Sequence, residues 1–271
     1  MFTAINPFPG VFHITDEMGV SFTLVEGEDS ALVFDAGYGT ENVAAFLRTL
    51  TDKPFELILS HGHHDHMLGA QWFDHSLMDP ADLEEFRLRA GSGQREKVRR
   101  QAEEHGVTPY SGFMTAEIPE PLPLKYLESV GPFNSCVYDL GGREAWVLQV
   151  PGHTPGSVVL YVPDLRLLLT GDDWNPCTWM WFPCSLPVRQ WHETMIRCID
   201  SLEKEAGEEI LHVLCSHQPN PREASELKEF LAYMTEERLR SAPPVDMGTP
   251  INTHQVTEEN RGWVLLFDAD K

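Results

Sequence analysis

Residues 59–66 read Leu-Ser-His-Gly-His-His-Asp-His and contain the pattern HxHxDH at His61, His63, Asp65 and His66. An apolar run precedes His61 and predicts a strand that ends there. Because alternate residues at a strand end point the same way, His61 and His63 can hold one metal ion together. Asp65 and His66 follow the bend and can face a second ion. The stretch therefore predicts a two-metal site at the end of a strand.

Further polar residues follow predicted strands in the same way. His153 lies in Pro-Gly-His-Thr-Pro-Gly, Asp172 lies in Thr-Gly-Asp-Asp, and His217 and Asp35 each come directly after an apolar run. Loops at one edge of a sheet assembly are where proteins build their sites. We therefore expect these residues to meet near the histidine cluster.

The sequence resembles the metallo-β-lactamase superfamily over residues 30–217. The resemblance rests on five features in the order of that superfamily: the strand-end Asp35, the HxHxDH motif, GHTPGS at 152–157, TGD at 170–172 and the final strand-end His217. The resemblance implies one ion on His61, His63 and His153, a second ion on Asp65, His66 and His217, and Asp172 bridging both. It also implies that Asp35 supports a ligand or the loop from outside the coordination set.

The order of predicted elements agrees with an α/β fold. Strand runs at both ends of the chain, with helices between them, predict two packed sheets whose outer faces are covered by helices. The resemblance makes this a four-layer αββα sandwich of two mixed β-sheets flanked by helices, formed by a single domain over residues 1–271. A helical insertion near residues 79–132 lengthens the gap between His66 and His153, and we expect it to form a lid or an oligomer contact.

The ligand types indicate the chemistry. Imidazole and carboxylate ligands suit Zn²⁺, with iron or manganese as alternatives, and we expect two divalent ions. Zinc lowers the pKa of bound water to about 7 and so supplies hydroxide at neutral pH. We therefore predict a dinuclear hydrolase of a small ester, thioester, lactone or related substrate that uses a metal-bridging hydroxide. Asp65 would be catalytic, orienting the nucleophile and passing its proton to the leaving group.

Two alternatives stay open at the level of sequence. An iron-dependent oxygenase of persulfide substrates shares the same fold and the same His-rich motif. A non-catalytic metal-binding module is the second alternative, and the complete set of seven ligands argues against it.

A run of aromatic residues after Asp172 is the candidate for substrate contacts. Trp174, Trp179 and Trp181 could wall an apolar pocket, or they could be core residues of a packed loop. Asn175 stands where lactonases of this superfamily carry a tyrosine, and it could donate to the substrate oxygen or serve only loop structure.

The charge balance restricts the partners. The chain has 20 basic and 42 acidic residues and a formal net charge of -22, which disfavours nucleic acid and anionic membranes and leaves a small-molecule substrate. Basic residues cluster between Arg87 and Arg100, where they could bind an anionic substrate tail or, as we favour, pair with nearby acids. Five scattered cysteines and the absence of a leader-like start predict a cytoplasmic location. A homodimer stays open.

Overall fold

Two β-sheets of seven strands each form the centre of the molecule in the computed structural model, which describes residues 1–271. The first sheet follows the order of the chain: β1 (Thr3–Phe8), β2 (Val11–Thr15), β3 (Ser21–Glu26), β4 (Ala31–Phe34), β5 (Phe55–Ile58), β6 (Leu77–Met78) and β7 (Leu122–Pro123). Strands β1 to β4 pair antiparallel, and β4 to β7 pair parallel, so this sheet is mixed.

The second sheet is also mixed. Its strands are β8 (Glu128–Val130), β9 (Phe133–Asp139), β10 (Glu144–Gln149), β11 (Val158–Val162), β12 (Leu167–Leu169), β14 (His212–Leu214) and β15 (Arg222–Glu223). Only β12 and β14 pair parallel. A third, smaller sheet contains β13 (Cys177–Met180), β16 (Thr253–Glu258) and β17 (Trp263–Asp268).

Seven α-helices accompany the sheets. They are α1 (Val43–Leu47), α2 (His64–Met67), α3 (Leu83–Ala90), α4 (Ser92–Glu104), α5 (Val188–Ala206), α6 (Ala224–Tyr233) and α7 (Glu236–Ser241). Short 3₁₀ segments occupy Leu68–Trp72, Pro80–Asp82 and Pro163–Leu165. None of the helices combines the length and the apolar character needed to cross a membrane.

Alternation along the strands explains the layers. In β11, Val158 and Leu160 belong to a core shared with the first sheet, whereas Val159 and Tyr161 belong to a second core. Successive side chains of a strand point to opposite faces, so a strand that is buried at every position must be covered on both sides. The first sheet covers one face of β11, and helices cover the other.

Helices complete the outer layers on both sides. Trp191 and Met195 of α5 and Phe230 of α6 share one core with the outer face of the second sheet. Val43 of α1 and Val98 of α4 share another core with the outer face of the first sheet. The four-layer αββα sandwich predicted from the sequence is confirmed.

Several elements differ from the predictions. Asn220 and Pro221 at the start of an apolar pattern predict one helix that runs to about Arg240, but the segment contains β15, α6 and α7. The chain leaves the helix after Tyr233, and Thr235, whose side chain accepts from Arg238 N at 3.3 Å, caps a new helix. The sequence also predicts a helix over residues 41–50 capped by Thr40, but α1 covers Val43–Leu47 and Asn42 caps it.

The insertion is helical only in its first half. The sequence predicts a cap at Asp79 with Pro80 after it and helix to about Gly106, which agrees with the cap at Asp79 and the end of α4 at Glu104. The proline-rich stretch 119–123 predicts an extended loop, yet Leu122 and Pro123 pair with β6 at the edge of the first sheet, where a strand tolerates proline.

Candidate metal centre

The candidate site lies where loops leave the strands of both sheets. The parallel pair β4 and β5 places Asp35 beside Ser60, and Asp35 N donates to Ile58 O at 2.9 Å. The parallel pair β12 and β14 brings the loops of Asp172 and His217 together in the same manner. Strand direction therefore explains why residues far apart in sequence share one edge.

The seven predicted ligands meet in two groups, in each of which the candidate ligand atoms all lie within 4.8 Å of one another. The first group is His61, His63 and His153, and the second is Asp65, His66, Asp172 and His217. His217 is the most open of the seven, with 37% of its side chain exposed.

Asp172 lies between the two groups. Its Oδ2 is 3.2 Å from His217 Nε2 and 3.3 Å from His66 Nε2, both in the second group. The same oxygen is 3.7 Å from His153 Nε2 in the first group. One carboxylate can therefore serve both groups, as expected of a bridging ligand.

Asp35 determines how two of the imidazoles point. Its Oδ2 accepts from Ser60 Oγ at 2.7 Å and lies 2.9 Å from His66 Nδ1. Ser60 Oγ in turn lies 2.9 Å from His61 Nδ1. When both Nδ1 atoms donate, Nε2 of His61 and of His66 is left with a lone pair, and these two buried Nε2 atoms have no hydrogen-bond partner.

The imidazoles of His153 and His63 each have a neighbour at the ring nitrogen that points away from the ligand group. His153 Nδ1 donates to Trp179 O at 2.7 Å. His63 Nε2 lies 3.5 Å from Glu85 Oε1 and 3.6 Å from Cys184 Sγ. His153 Nε2 and His63 Nδ1 then face each other at 2.9 Å, on the side of the ligand group.

Burial sets the protonation of two histidines in the first group, His61 and His153. It lowers the pKa of His61 well below the usual range and lowers that of His153 to about 3, with neighbouring histidines adding to the effect. These imidazoles are therefore neutral at pH 7, the form in which histidine binds a metal.

The second group calls for positive charge. Burial raises the pKa of Asp172, but His217 and His66 outweigh it and hold that pKa well below its usual range. Burial lowers the pKa of His66, yet Asp172 and Asp65 outweigh it and raise that pKa well above the usual range. The ionised Asp65 and Asp172 thus attract positive charge, which a divalent ion would supply in place of the proton on His66, so these residues fit the metals that the motif implies.

Asp82 connects the insertion to both histidine loops, and it was not among the residues predicted from the sequence. This fully buried carboxylate accepts from Gly62 N at 2.8 Å, Thr154 Oγ1 at 2.7 Å and Gly156 N at 2.6 Å. A Cβ at Gly156 would meet Asp82 N at 2.7 Å, so this close approach requires glycine. Asp82 follows β6, which is too short to be recognised from sequence.

Two of the predicted substrate-contact residues, Trp174 and Asn175, have their main contacts with other residues of the protein. Trp174 is fully buried in the core against Phe230 and does not line the cavity at the site, which corrects its prediction as a substrate contact. Asn175 lines the cavity, but its Nδ2 donates to Asp172 Oδ1 at 3.1 Å and its Oδ1 accepts from His217 N at 3.2 Å. Asn175 thus connects two candidate ligands.

A cavity of about 520 Å³ opens beside the two groups, and Trp179 and Trp181 line it as predicted. Phe182 of the same aromatic stretch and Arg89 of the basic cluster also line it. The remaining lining residues were not predicted as substrate contacts: Tyr38, His64, Gln101 and Cys177. Tyr38 and Gln101 come from distant segments, and no local pattern marks them.

Comparisons with known proteins show which proteins this chain is similar to. The family model described as "Metallo-beta-lactamase superfamily" matches residues 15–173. Acyl-coenzyme A thioesterase MBLAC2 of Gallus gallus is 27% identical over 172 residues, covering 56% of this chain and 60% of the relative. Hydroxyacylglutathione hydrolase of Cereibacter sphaeroides is 28% identical over 150 residues, covering 52% of this chain and 46% of that protein. The chain thus spans no more than about three fifths of the length of these relatives.

A solved structure supports the fold independently. The metallo-β-lactamase from Pontibacter korlensis superimposes with a TM-score of 0.56 at 15% identity, over 86% of this chain and 98% of that one. At this identity the likeness concerns the architecture alone.

Proposed function

The chain belongs to the metallo-β-lactamase superfamily, and from this premise we propose that it is a dinuclear metal-dependent hydrolase of a small ester, thioester, lactone or related substrate. The observation that carries the proposal is the pair of ligand groups with Asp172 between them. The names of the two relatives, a thioesterase and a hydroxyacylglutathione hydrolase, favour thioesters among these substrates.

The residues divide the binding of two ions between them. His61, His63 and His153 would hold one ion, Asp65, His66 and His217 would hold the other, and Asp172 would contact both. Zinc held in this way supplies a Lewis acid and a hydroxide nucleophile at neutral pH, and iron or manganese are the alternatives.

Asp65 is the proposed proton carrier. Its carboxylate lines the cavity, and its Oδ2 lies 3.5 Å from His66 Nε2 and 3.7 Å from His217 Nε2. Burial raises the pKa of Asp65, but His66 outweighs it, so that the pKa lies well below the usual range and the group is ionised at pH 7. An ionised carboxylate here can orient the attacking water, accept its proton and deliver it to the leaving group.

The composition supports proposals about the partners and the location of the protein. The net charge of -22 supports a small-molecule substrate rather than nucleic acid or an anionic membrane. All five cysteines are free, which supports a reducing compartment such as the cytoplasm. A homodimer stays a proposal without a specific contact.

The test combines metal analysis with a substrate panel. We expect about two equivalents of metal in the purified protein and turnover of thioesters or esters in a panel that also includes lactones, phosphodiesters and β-lactams. Asp65→Asn should lower kcat by about 10²- to 10⁴-fold, because the amide cannot accept the proton. Asp74→Asn removes the same charge from an exposed position and serves as the matched control.

Two results would contradict the proposal. One is full turnover by Asp65→Asn, and the other is hydrolysis by protein without stoichiometric metal. Oxygen uptake with a persulfide in an iron-loaded preparation that hydrolyses nothing would favour the iron-dependent oxygenase instead.

A further inference from the structure

We propose that the cavity beside the metal centre binds an apolar acyl group, and that the preferred substrate carries a leaving group with little negative charge. This inference rests on the proposed hydrolase function and narrows its substrate. Two observations carry it: a continuous aromatic wall that begins at the candidate ligands, and the pairing of Arg89, the one arginine or lysine that lines the cavity, with a carboxylate.

The aromatic wall consists of Trp179, Trp181 and Phe182. The rings of Trp181 and Phe182 stack at a centroid distance of 4.7 Å, and Trp179 lies 6.0 Å from Phe182. Phe182 contacts the ring of His63 edge-on at 4.8 Å. An apolar group laid along this wall would therefore extend from the metal-side histidines towards solvent.

The aromatic wall is in place before any substrate arrives. The strand that carries Trp179 pairs with β17, with Trp179 opposite Leu266, and the Trp179 carbonyl accepts from His153. The Trp179 side chain is nevertheless 41% exposed. A rigid aromatic surface that stays open to solvent beside a reactive centre is suited to covering by an apolar ligand.

Among the residues that line the cavity, Arg89 is the one basic side chain other than histidine, and its charge is already paired with Glu85. Arg89 Nε donates to Glu85 Oε1 at 2.6 Å, and Glu85 Oε1 also lies 3.5 Å from His63 Nε2. An anion that drew Arg89 away would leave Glu85 without its partner beside a candidate ligand. Such a carboxylate, more than four-fifths buried, is costly to leave unpaired.

The other arginines of the basic cluster are also occupied, Arg95 by backbone carbonyls and the rest by carboxylates, whereas Lys97 is exposed and does not line the cavity. Arg87 pairs with Glu120 at 2.9 Å and Arg100 pairs with Glu96 at 2.9 Å. These arginines therefore pair with nearby acids, as we favoured from the sequence, and do not form a site for an anionic substrate tail. A polyanionic leaving group would meet no free arginine among these and would be repelled by an envelope of charge -22.

The experiment uses the full chain loaded with zinc and two series of thioesters, acetyl to octanoyl. One series has N-acetylcysteamine as an uncharged leaving group, and the other has coenzyme A, a polyanion. In the uncharged series we expect kcat/KM to rise about fourfold for each added CH₂, equivalent to about 0.8 kcal/mol, until the cavity is filled. For the coenzyme A series kcat/KM should rise with ionic strength, because salt screens the repulsion.

Substitution of Trp179 tests whether the acyl group binds along the aromatic wall. Trp179→Ala should lower the ratio of octanoyl to acetyl kcat/KM about tenfold, equivalent to about 1.4 kcal/mol, and Trp179→Phe should restore most of it. Trp146→Ala is the matched control, because Trp146 lies on β10 outside the cavity and should leave the ratio unchanged.

Different outcomes separate this inference from the proposed function. A flat dependence on chain length, or a preference for coenzyme A thioesters at low salt, would overturn the inference while hydrolysis itself stands. If nothing is hydrolysed, the proposed function fails. Octanamide binding, measured by tryptophan fluorescence, then shows whether the cavity binds an apolar acyl chain. Saturable binding that Trp179→Ala abolishes supports the acyl site, and no binding overturns it.

Discussion

Asp35 contacts the histidines of both candidate metal groups, His66 directly and His61 through Ser60. It is also one of two non-glycine residues with a positive φ, at 67°. Aspartate tolerates this left-handed conformation better than most residues, and the strain is retained where the surrounding structure requires it. A single carboxylate thereby sets the tautomer of one histidine in each group.

Replacement of Asp35 should weaken metal binding without removing a ligand. In Asp35→Asn the backbone conformation is still tolerated, but the amide presents two N–H donors where Ser60 and His66 need acceptors. We expect zinc affinity to fall about 10- to 100-fold, measured by competition with a chromogenic chelator.

Asp16→Asn is the matched control for this measurement. Asp16 is also a buried carboxylate, and it accepts from the backbone of Met18, Val20 and Tyr38 rather than from a candidate ligand. Equal losses of zinc affinity in both variants would show that Asp35 acts only through general stability.

Residue-scale prediction from sequence succeeds where a local rule applies. The strand-end position indicated all seven candidate ligands and Asp35, because the direction of a strand determines which side chains meet at its end. No local rule distinguishes Trp174 in the core from Trp179 on the cavity, since both lie in one aromatic stretch. The pairing of basic residues with nearby acids was predicted, but the position of Arg89 at the cavity and of Glu85 beside His63 was not, because it depends on how the insertion packs.

At the scale of elements, the 3₁₀ segment Pro80–Asp82 connects the insertion to the two loops that carry candidate metal ligands. Asp82 should therefore influence the two histidine loops from outside them. In Asp82→Asn an NH₂ group would face one of the donors of Gly62, Thr154 or Gly156, which should lower the free energy of unfolding by about 1–3 kcal/mol. We also expect zinc affinity of the folded protein to fall about tenfold.

The neighbouring Asp79 offers a control of the same type. It is a buried carboxylate that accepts from Ala81, Tyr126 and Gln149, none of which belongs to a histidine loop. Asp79→Asn should lower the free energy of unfolding in urea but leave zinc affinity unchanged. An unchanged zinc affinity in Asp82→Asn would refute the link between the insertion and the metal loops.

The elements that were missed share a physical reason. Strands β6 and β7 are two residues long, and β13 pairs with β17, which lies more than 80 residues away in sequence. Such strands exist because a neighbouring edge accepts them, not because their own residues alternate. The long helices and central strands were predictable since each carries its full hydrophobic pattern locally.

At the scale of the whole molecule, the ligand groups connect the two sheets. His61, His63, Asp65 and His66 follow the first sheet, and His153, Asp172 and His217 follow strands of the second. Metal removal by a chelator should therefore lower Tm. At metal concentrations about 100-fold above Kd, the loss is about 2.7 kcal/mol, or about 5–10 °C for a chain of this size.

Thermal unfolding followed by circular dichroism measures this change. Addition of zinc in excess of the chelator should restore Tm, and a His61→Ala/His153→Ala variant should show a smaller response. A Tm that is the same with and without the chelator would exclude a role of metal in holding the sheets together.

Asp82 receives hydrogen bonds from Gly62 and from Thr154, which are 92 residues apart, and His63 faces His153 across 90 residues. Contacts of such high sequence separation form late when a chain folds, because the entropic cost of closing a long loop must be met before the contacts stabilise the chain. The ligand groups are therefore completed only once both halves of the chain have docked. Ions would enter a protein that is already folded, rather than act as its nucleus.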